Sequence, residues 1–392
     1  MTIGIREFYA GKAILITGVT GYLAKIIMEK IIRSAPDFKV IYVLMRLKKG
    51  VTLADRLKKD VLNSPVFQHL LSTNAQAAEI IAKKVVPIQG DLIQDSLGLK
   101  PEIRQLLIED LDIIINSAAS VSFNNPLHEA LQINYYGAVK ILDLALECKH
   151  LECLSHISTA YVGINQAEQA EVMEVVSKDQ NSDDWEVQLK NIMSLNREEC
   201  SRLEKQLTNG YPNTYTYTKN LAERHLLRYG GDRLKVVISR PSIIIHCSQE
   251  PFVGWIENLS AAAGVAFPFM MGMARSLFLP EKNILDFIPC DIVSNAIITV
   301  TAHIGKSPKP LCKVYHMTTS SSNPTYMGVY WGGSREYLKY NPTERQIRDP
   351  RVLIQNTVTD QKRSDFIEEE LPLILMEMIA KLPVVGSVGA RE

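Results

Sequence analysis

A doubly wound α/β fold on a parallel sheet, with a smaller C-terminal substrate-binding subdomain, is the architecture this sequence predicts. Three observations carry it. Short β-branched runs alternate with helical patterns through the first half of the chain. The runs are apolar at nearly every position, as strands are when helices cover both faces of a parallel sheet. The first run also leads through a glycine turn straight into a helical pattern.

The strands read as Ala13–Thr17, Val40–Met45, Val85–Gln89, Asp112–Asn116 and Leu154–Ser158. Leu23–Ile32 and Leu127–Cys148 are helical patterns between them, and Val236–Ser239 supplies a further strand after the helix that begins near Lys219. Gln166 to Gln206 is polar and acidic without a strand pattern, and reads as a partly helical insertion at about 166–210. The expected division is 10–240 for the sheet domain, 241–345 for the substrate-binding subdomain and 346–392 for a charged tail. The tail contains Phe366–Leu382, an amphipathic pattern suited to packing on the body or to peripheral membrane contact.

Composition narrows the function classes. The chain has 392 residues, 43 Lys and Arg against 43 Asp and Glu, so it lacks the basic excess of a nucleic-acid binder. The cysteines, Cys148, Cys153, Cys200, Cys247, Cys290 and Cys312, form no CxxC pair, which favours reduced thiols over disulfides or a zinc site; no metal is expected. The N-terminal MTIGIREFYAGK has no apolar signal core. No stretch reaches the roughly 18 apolar residues of a membrane span. The apolar stretch from Asn258 to Ala274 falls short and is broken by Gly and Pro.

The chemistry begins at the turn Thr17-Gly18-Val19-Thr20-Gly21-Tyr22-Leu23-Ala24. Gly18 lets the chain leave the strand sharply, Gly21 removes a side chain where a pyrophosphate must approach, and Ala24 lets the helix pack close to the sheet. The helix N-terminus then offers free N–H groups to phosphates. In this context the pattern marks a Rossmann dinucleotide site. The second strand ends in Met45-Arg46-Leu47-Lys48, with no acid for a ribose 2′-hydroxyl. Arg46 and Lys48 would meet a 2′-phosphate instead, which favours NADPH over NADH. After the third strand, Asp91 and Leu92 stand where an adenine would lie, although Asp91 could equally cap a turn. Ala118, in Asn116-Ser117-Ala118-Ala119, is small where a backbone would pass the cofactor.

The catalytic candidates come later. Ser158 and Thr159 follow the fifth strand, and Tyr215 and Lys219 lie four apart at the head of a helix, on one face. Carbonyl reduction needs such a set: a phenol gives a proton to the oxygen while hydride reaches the carbon. A phenol pKa of about 10 is high for this, and a nearby ammonium would lower it. One of Ser158 and Thr159 would share the developing charge on oxygen, with Thr159 the first choice. Tyr217 competes for the phenol role but lies on another helical face. Asn134 stands inside a helical pattern where Asn is a poor helix former, and either holds a kink or water near Lys219 or is an ordinary polar residue.

Together these pieces resemble a known family. TGVTGYLAKIIMEKII, VLMRLKKG, STAY, YPNTYTYTKNLAE and RPSI, followed by EPFVGWIENLSAAAG and DFIPCDIVSNAII, are similar to the NAD(P)-binding domain of fatty acyl-CoA reductases, of the extended short-chain dehydrogenase/reductase (SDR) type. The likeness covers roughly residues 10 to 345. It implies NADPH-dependent reduction of a long-chain fatty acyl-CoA to a fatty alcohol, with Thr159 or Ser158, Tyr215 and Lys219 at the catalytic positions. It implies cofactor contacts at Gly18, Gly21, Arg46, Lys48 and Asp91, with Arg240 and Pro241 beside the nicotinamide. It further implies lipid metabolism toward wax and ether lipids at a peroxisomal or endoplasmic-reticulum surface. Ala24 replaces the family's usual Gly and Asn116 its common His, and the usual helical C-terminal domain is here a stub from about Phe366. The C-terminal Gly-Ala-Arg-Glu is no peroxisomal address. The segment from Asn258 to Ala274, with Trp255, would wall an acyl channel or form plain subdomain core. Two other readings stand beside the enzyme: an extended reductase of a sterol, sugar nucleotide or aldehyde, and a non-catalytic NADPH-binding scaffold.

Overall fold

In the computed structural model the described residues are 4–164, 166, 170–176, 185–208, 210–257, 261–274, 276–278, 280–344, 353–355, 357–371 and 374. The residues divide into two compact units, one of 1–257 with 288–318, the other of 258–287 with 319–392.

The first unit is a seven-stranded sheet. Its strands are β1 (Ala13–Thr17), β2 (Val40–Met45), β3 (Val85–Gln89), β4 (Ile113–Asn116), β5 (Cys153–Ile157), β6 (Lys235–Pro241) and β7 (Leu311–Met317). Their spatial order is β7-β6-β5-β4-β1-β2-β3, and every pairing is parallel. The order reverses between β1 and β4, the switch point where open α/β sheets bind ligands. Alternate residues of β1 feed opposite cores: Ile14 and Ile16 join one cluster, Ala13 and Leu15 the other. All five are fully buried, each large one contributing roughly 1.5–3 kcal/mol.

Helix α1 (Tyr22–Ser34) buries Ala24, Ile27, Ile31 and Ile32 against the Ile14 face, and α2 (Gly137–Glu147) buries Ile141, Leu142 and Ala145 on the Leu15 face. Helix α3 (Thr214–Gly230) starts at Asn213, whose side chain accepts from Thr216 N–H at 2.9 Å. Helix α4 (Cys290–Gly305) joins the Ile14 cluster through Val293 and Ile297.

The expected boundary at Pro241 is corrected by this packing. Residues 241–257 and 288–318, expected in the substrate-binding subdomain, belong to the sheet unit, which gains α4 and the seventh strand. The run LCKVYHM of β7 alternates imperfectly and sits among Gly and Pro, so its periodicity was masked. The fourth and fifth strands lie one residue from their predicted bounds at each shifted end. The insertion carries helices Trp185–Ser194 and Arg197–Leu207, and its residues 165, 167–169, 177–184 and 209 lie outside the described ones.

In the second unit, Phe269 packs on Trp331 of α5 (Met327–Tyr340) with ring centroids 5.2 Å apart. Residues 258–260 of the proposed channel wall lie outside the described residues, as do 372–373 and 375–382 of the amphipathic tail. Phe366–Glu370 is helical, as the tail's pattern predicted for that part. Among the described residues, no helix is long and apolar enough to cross a membrane, and no cluster of metal-ligating side chains occurs. All six cysteines are free thiols.

Candidate active site

The turn after β1 is shaped by close approach. Gly18 has φ +78°, and a Cβ there would lie 2.9 Å from the Ala118 backbone. A side chain is excluded on both counts. Gly21 donates its N–H to Gly18 O at 2.8 Å and begins α1 without a side-chain cap. The first N–H groups of a thirteen-residue helix therefore open beside exposed Thr20 and Gly21. Ala118 N–H, with Ser117 N–H, is held by the Thr17 hydroxyl at 3.0 and 3.1 Å. Tyr22 and Leu23 are half-buried. The Tyr22 hydroxyl donates to Trp255 O at 2.8 Å and the two rings lie 5.0 Å apart, so Trp255 is core packing in the sheet unit and no channel wall.

At the end of β2, Arg46 and Lys48 are both exposed. The absence of an acid is corrected by the tertiary structure. Asp60 reaches Lys48 Nζ at 3.0 Å and Arg56 Nε at 3.1 Å. Burial alone would raise the Asp60 carboxyl, and the hydrogen bonds from Lys48 and Arg56 outweigh it and hold it below the usual range. Lys48 is thus partly engaged, while the exposed Arg46 side chain projects from the strand end. Asp91 Oδ1 accepts from Ile93 N–H at 3.2 Å, the turn-capping alternative, and Leu92 is buried against Gly137.

Thr159, Tyr215 and Lys219 converge at the C-terminal edge of β5. Tyr215 is half-buried at the first turn of α3, and its ring lies 5.8 Å from that of Phe123. Burial raises its phenol to about 12, and a hydrogen bond with the Thr159 side chain works in the opposite direction. The predicted acidification of this phenol by Lys219 is therefore not seen in the chain by itself, where desolvation dominates. Lys219 is 3% exposed, and its Nζ donates to Ile157 O at 2.7 Å. Burial lowers it to about 8, and Glu223 one turn further along α3 acts to raise it. Thr159 Oγ1 accepts from Tyr161 N–H at 3.3 Å. Ser158 is buried, with no partner for its hydroxyl among the described residues. Thr159 is the one of the two that meets Tyr215. Tyr217 turns away and packs on Tyr211 in a separate cluster.

Two supporting residues have definite positions. Asn134 accepts from Ser120 N–H at 2.8 Å and donates to Thr218 Oγ1 at 3.2 Å, tying the loop after β4 to α3. The Arg240 side chain is engaged elsewhere. Its guanidinium pairs with Glu223 at 2.5 Å and donates to the carbonyls of Met173 and Val175, so its side chain is committed to structure. A nicotinamide contact there would fall to the 240–241 backbone at the end of β6, where Pro241 lies opposite Met317. Reading the sequence did not single out Asp60, Glu223 or His156: none stands in a recognisable motif, and their partners, 4 to 40 residues away, are set by how the elements pack.

Residues 16–297 match the family described as "Male sterility protein". Fatty acyl-CoA reductase 1 of Xenopus laevis is 33% identical over 350 residues, which cover 89% of this chain and 66% of that protein. The Homo sapiens protein of the same name is 33% identical over 354 residues, with the same shares covered. That of Rattus norvegicus is 31% identical over 388 residues, 97% of this chain and 72% of that protein. The chain thus spans about two thirds of the length of these relatives. Among solved structures, the terminal R domain from the myxalamid PKS-NRPS biosynthetic pathway matches with a TM-score of 0.63 at 22% identity, covering 96% of this chain and 79% of that one. A reductase (R) domain of a nonribosomal peptide synthetase from Mycobacterium tuberculosis matches at 0.62 and 20% identity, over 93% of this chain and 80% of that one. At these identities the likeness is one of fold, a parallel α/β sheet of the Rossmann kind.

Proposed function

The chain belongs to the fatty acyl-CoA reductase family, and from that premise we propose that it reduces a long-chain fatty acyl-CoA with NADPH, through the aldehyde to the primary alcohol, releasing CoA. The observation that carries the reading is the meeting of Tyr215, Thr159 and Lys219 at one strand edge, on a fold whose switch point adjoins the glycine turn.

The residues present fit a nicotinamide dinucleotide. Gly18 and Gly21 leave the turn without side chains where a pyrophosphate would lie, and the N-terminus of α1 faces it with free N–H groups. Arg46 supplies a guanidinium for a 2′-phosphate, with Lys48 as a second cation partly held by Asp60. When bound, the cofactor supplies hydride to the carbonyl carbon.

The side chains do the rest. The thioester oxygen sits between the Tyr215 and Thr159 hydroxyls, which hold the charge that develops there. Tyr215 gives that oxygen its proton, and the thiohemiacetal then expels CoA as the thiol and leaves the aldehyde. In the second round the aldehyde oxygen takes the same place and leaves as the alcohol. Lys219, anchored on Ile157 O one helical turn from Tyr215, is the cation we assign to favour phenolate as the proton departs. We further propose a working place at a peroxisomal or endoplasmic-reticulum surface, as the sequence resemblance implies, which fractionation of tagged protein checks.

The test is incubation of purified protein with a long-chain acyl-CoA and NADPH, followed by identification of lipid products. Fatty alcohol and free CoA are expected from the native protein and not from Tyr215→Phe. Equal NADPH loss in both, or loss in neither, rejects the assignment.

A further inference from the structure

Thr17, Asn116 and His156 form a hydrogen-bonded chain across β1, β4 and β5. Thr17 Oγ1 accepts from Ser117 N–H and Ala118 N–H at 3.1 and 3.0 Å. A hydroxyl has two acceptor sites and one proton, so both acceptor sites are taken. The remaining proton goes to Asn116, 2.8 Å away, and the amide atom facing Thr17 must be Oδ1. The Asn116 NH₂ then faces His156 Nδ1 at 3.1 Å. An amide NH₂ only donates, so Nδ1 presents its lone pair and the ring proton sits on Nε2. The assignment follows from counting donors and acceptors rather than from seeing hydrogens.

We propose that Asn116 is a positioning residue that locks His156 as the neutral Nε2–H imidazole and so prevents a second positive charge beside Lys219. An imidazolium would bring N–H against N–H₂ at Asn116, in a place where His156 is 2% exposed and water cannot intervene. The residue that follows, Ile157, is the one whose carbonyl receives the Lys219 ammonium. The groups facing the ring are neutral Asn116 from β4, Ile238 opposite it on β6, and Lys219 from α3, with Glu223 beyond, itself paired to Arg240. Burial first, and then the Lys219 charge, keep the imidazole titrating well below its usual range. A cation at His156 would push Lys219 to release its proton, and the phenol would lose its electrostatic partner. The lock begins at Thr17, in the phosphate-binding turn, so the geometry that receives phosphates also sets the charge state two strands away.

Long-range ¹H–¹⁵N spectra of the full chain, with His156→Gln to assign the ring, read the tautomer directly. The native ring is expected as Nε2–H throughout roughly pH 6 to 9. Asn116→Asp replaces the donor with an acceptor, so Nδ1 takes up a proton; the ring should titrate, and NADPH oxidation should gain an acidic limb, falling about tenfold per pH unit below that titration. Asn116→Leu, which removes the donor without adding charge, should show both tautomers and serves should the Asp variant not fold. A native ring that is Nδ1–H or doubly protonated at neutral pH overturns the lock. A flipped tautomer in Asn116→Asp with an unchanged pH profile overturns its link to Lys219. Only the kinetic arm rests on the reductase reading: if the native protein turns over no acyl-CoA, that reading fails while the spectra still decide the tautomer.

Discussion

Lys219 Nζ lies 2.7 Å from the carbonyl oxygen of Ile157, so the ammonium at the head of α3 is anchored on the last residue of β5. The contact fixes the cation in a buried place and leaves it poised to titrate at about 8. Between that value and the ordinary lysine range the unfolded chain binds more proton than the folded one, so folding stability gains as pH rises there. Activity should move the other way. NADPH oxidation is expected to fall as pH rises through about 8, while the thermal midpoint contribution of Lys219 rises. Paired rate and melting profiles from pH 7 to 10 check the opposed slopes; parallel slopes would contradict the assignment.

Tyr215→Phe keeps the ring against Phe123 and removes the hydroxyl. A lost proton donor should cost about 10²–10⁴ in kcat. The circular dichroism and thermal midpoint should stay near native, which separates lost chemistry from lost fold.

Gly18→Ala meets both a positive φ and backbone at 2.9 Å. Backbone atoms cannot swing aside as a side-chain end can. The variant should lose about 1–3 kcal/mol of stability and most of its NADPH affinity. Urea unfolding and a fluorescence titration with NADPH report the two losses separately.

Arg46 and Lys48 should be unequal. Lys48 shares Asp60 with Arg56, whereas the Arg46 side chain is exposed at the strand end. Arg46→Ala should weaken NADPH binding about tenfold with little effect on NADH, a modest figure because the group is solvent-screened. Lys48→Ala should do less. Equal losses for both cofactors would show that neither residue reads the 2′-phosphate.

Glu223→Gln leaves the Arg240 guanidinium buried beside a neutral amide. Breaking one partner of such a pair costs about 3–5 kcal/mol. It also removes the anion that supports the Lys219 charge, so the alkaline fall in rate should move to lower pH. Unfolding and pH–rate measurements on one preparation test both.

Legibility followed the range of the interactions. Six strands, the glycine turn and the Tyr215–Lys219 pair are legible because each is a local pattern: an apolar run, a glycine-marked turn, a four-residue helical spacing. β7 was missed because its pairing partner β6 is over 70 residues away and its own periodicity is weak. For Trp255 the sequence leaves channel wall and core packing open, and the structure decides for core by seating it on Tyr22. Arg240 stood in the right motif, yet Glu223, 17 residues earlier, holds its side chain.

By itself the sequence determined the α/β class, the phosphate-binding turn and the residue types available for carbonyl reduction, since those depend on neighbours along the chain. Tertiary structure alone decided charge. Burial raises Tyr215 and lowers Lys219 and His156, and packing brings Asp60 to Lys48 and Glu223 to Arg240. The physical reason is that a titratable group responds to the dielectric and the charges around it in space, and a linear order of residues specifies neither until the chain has folded.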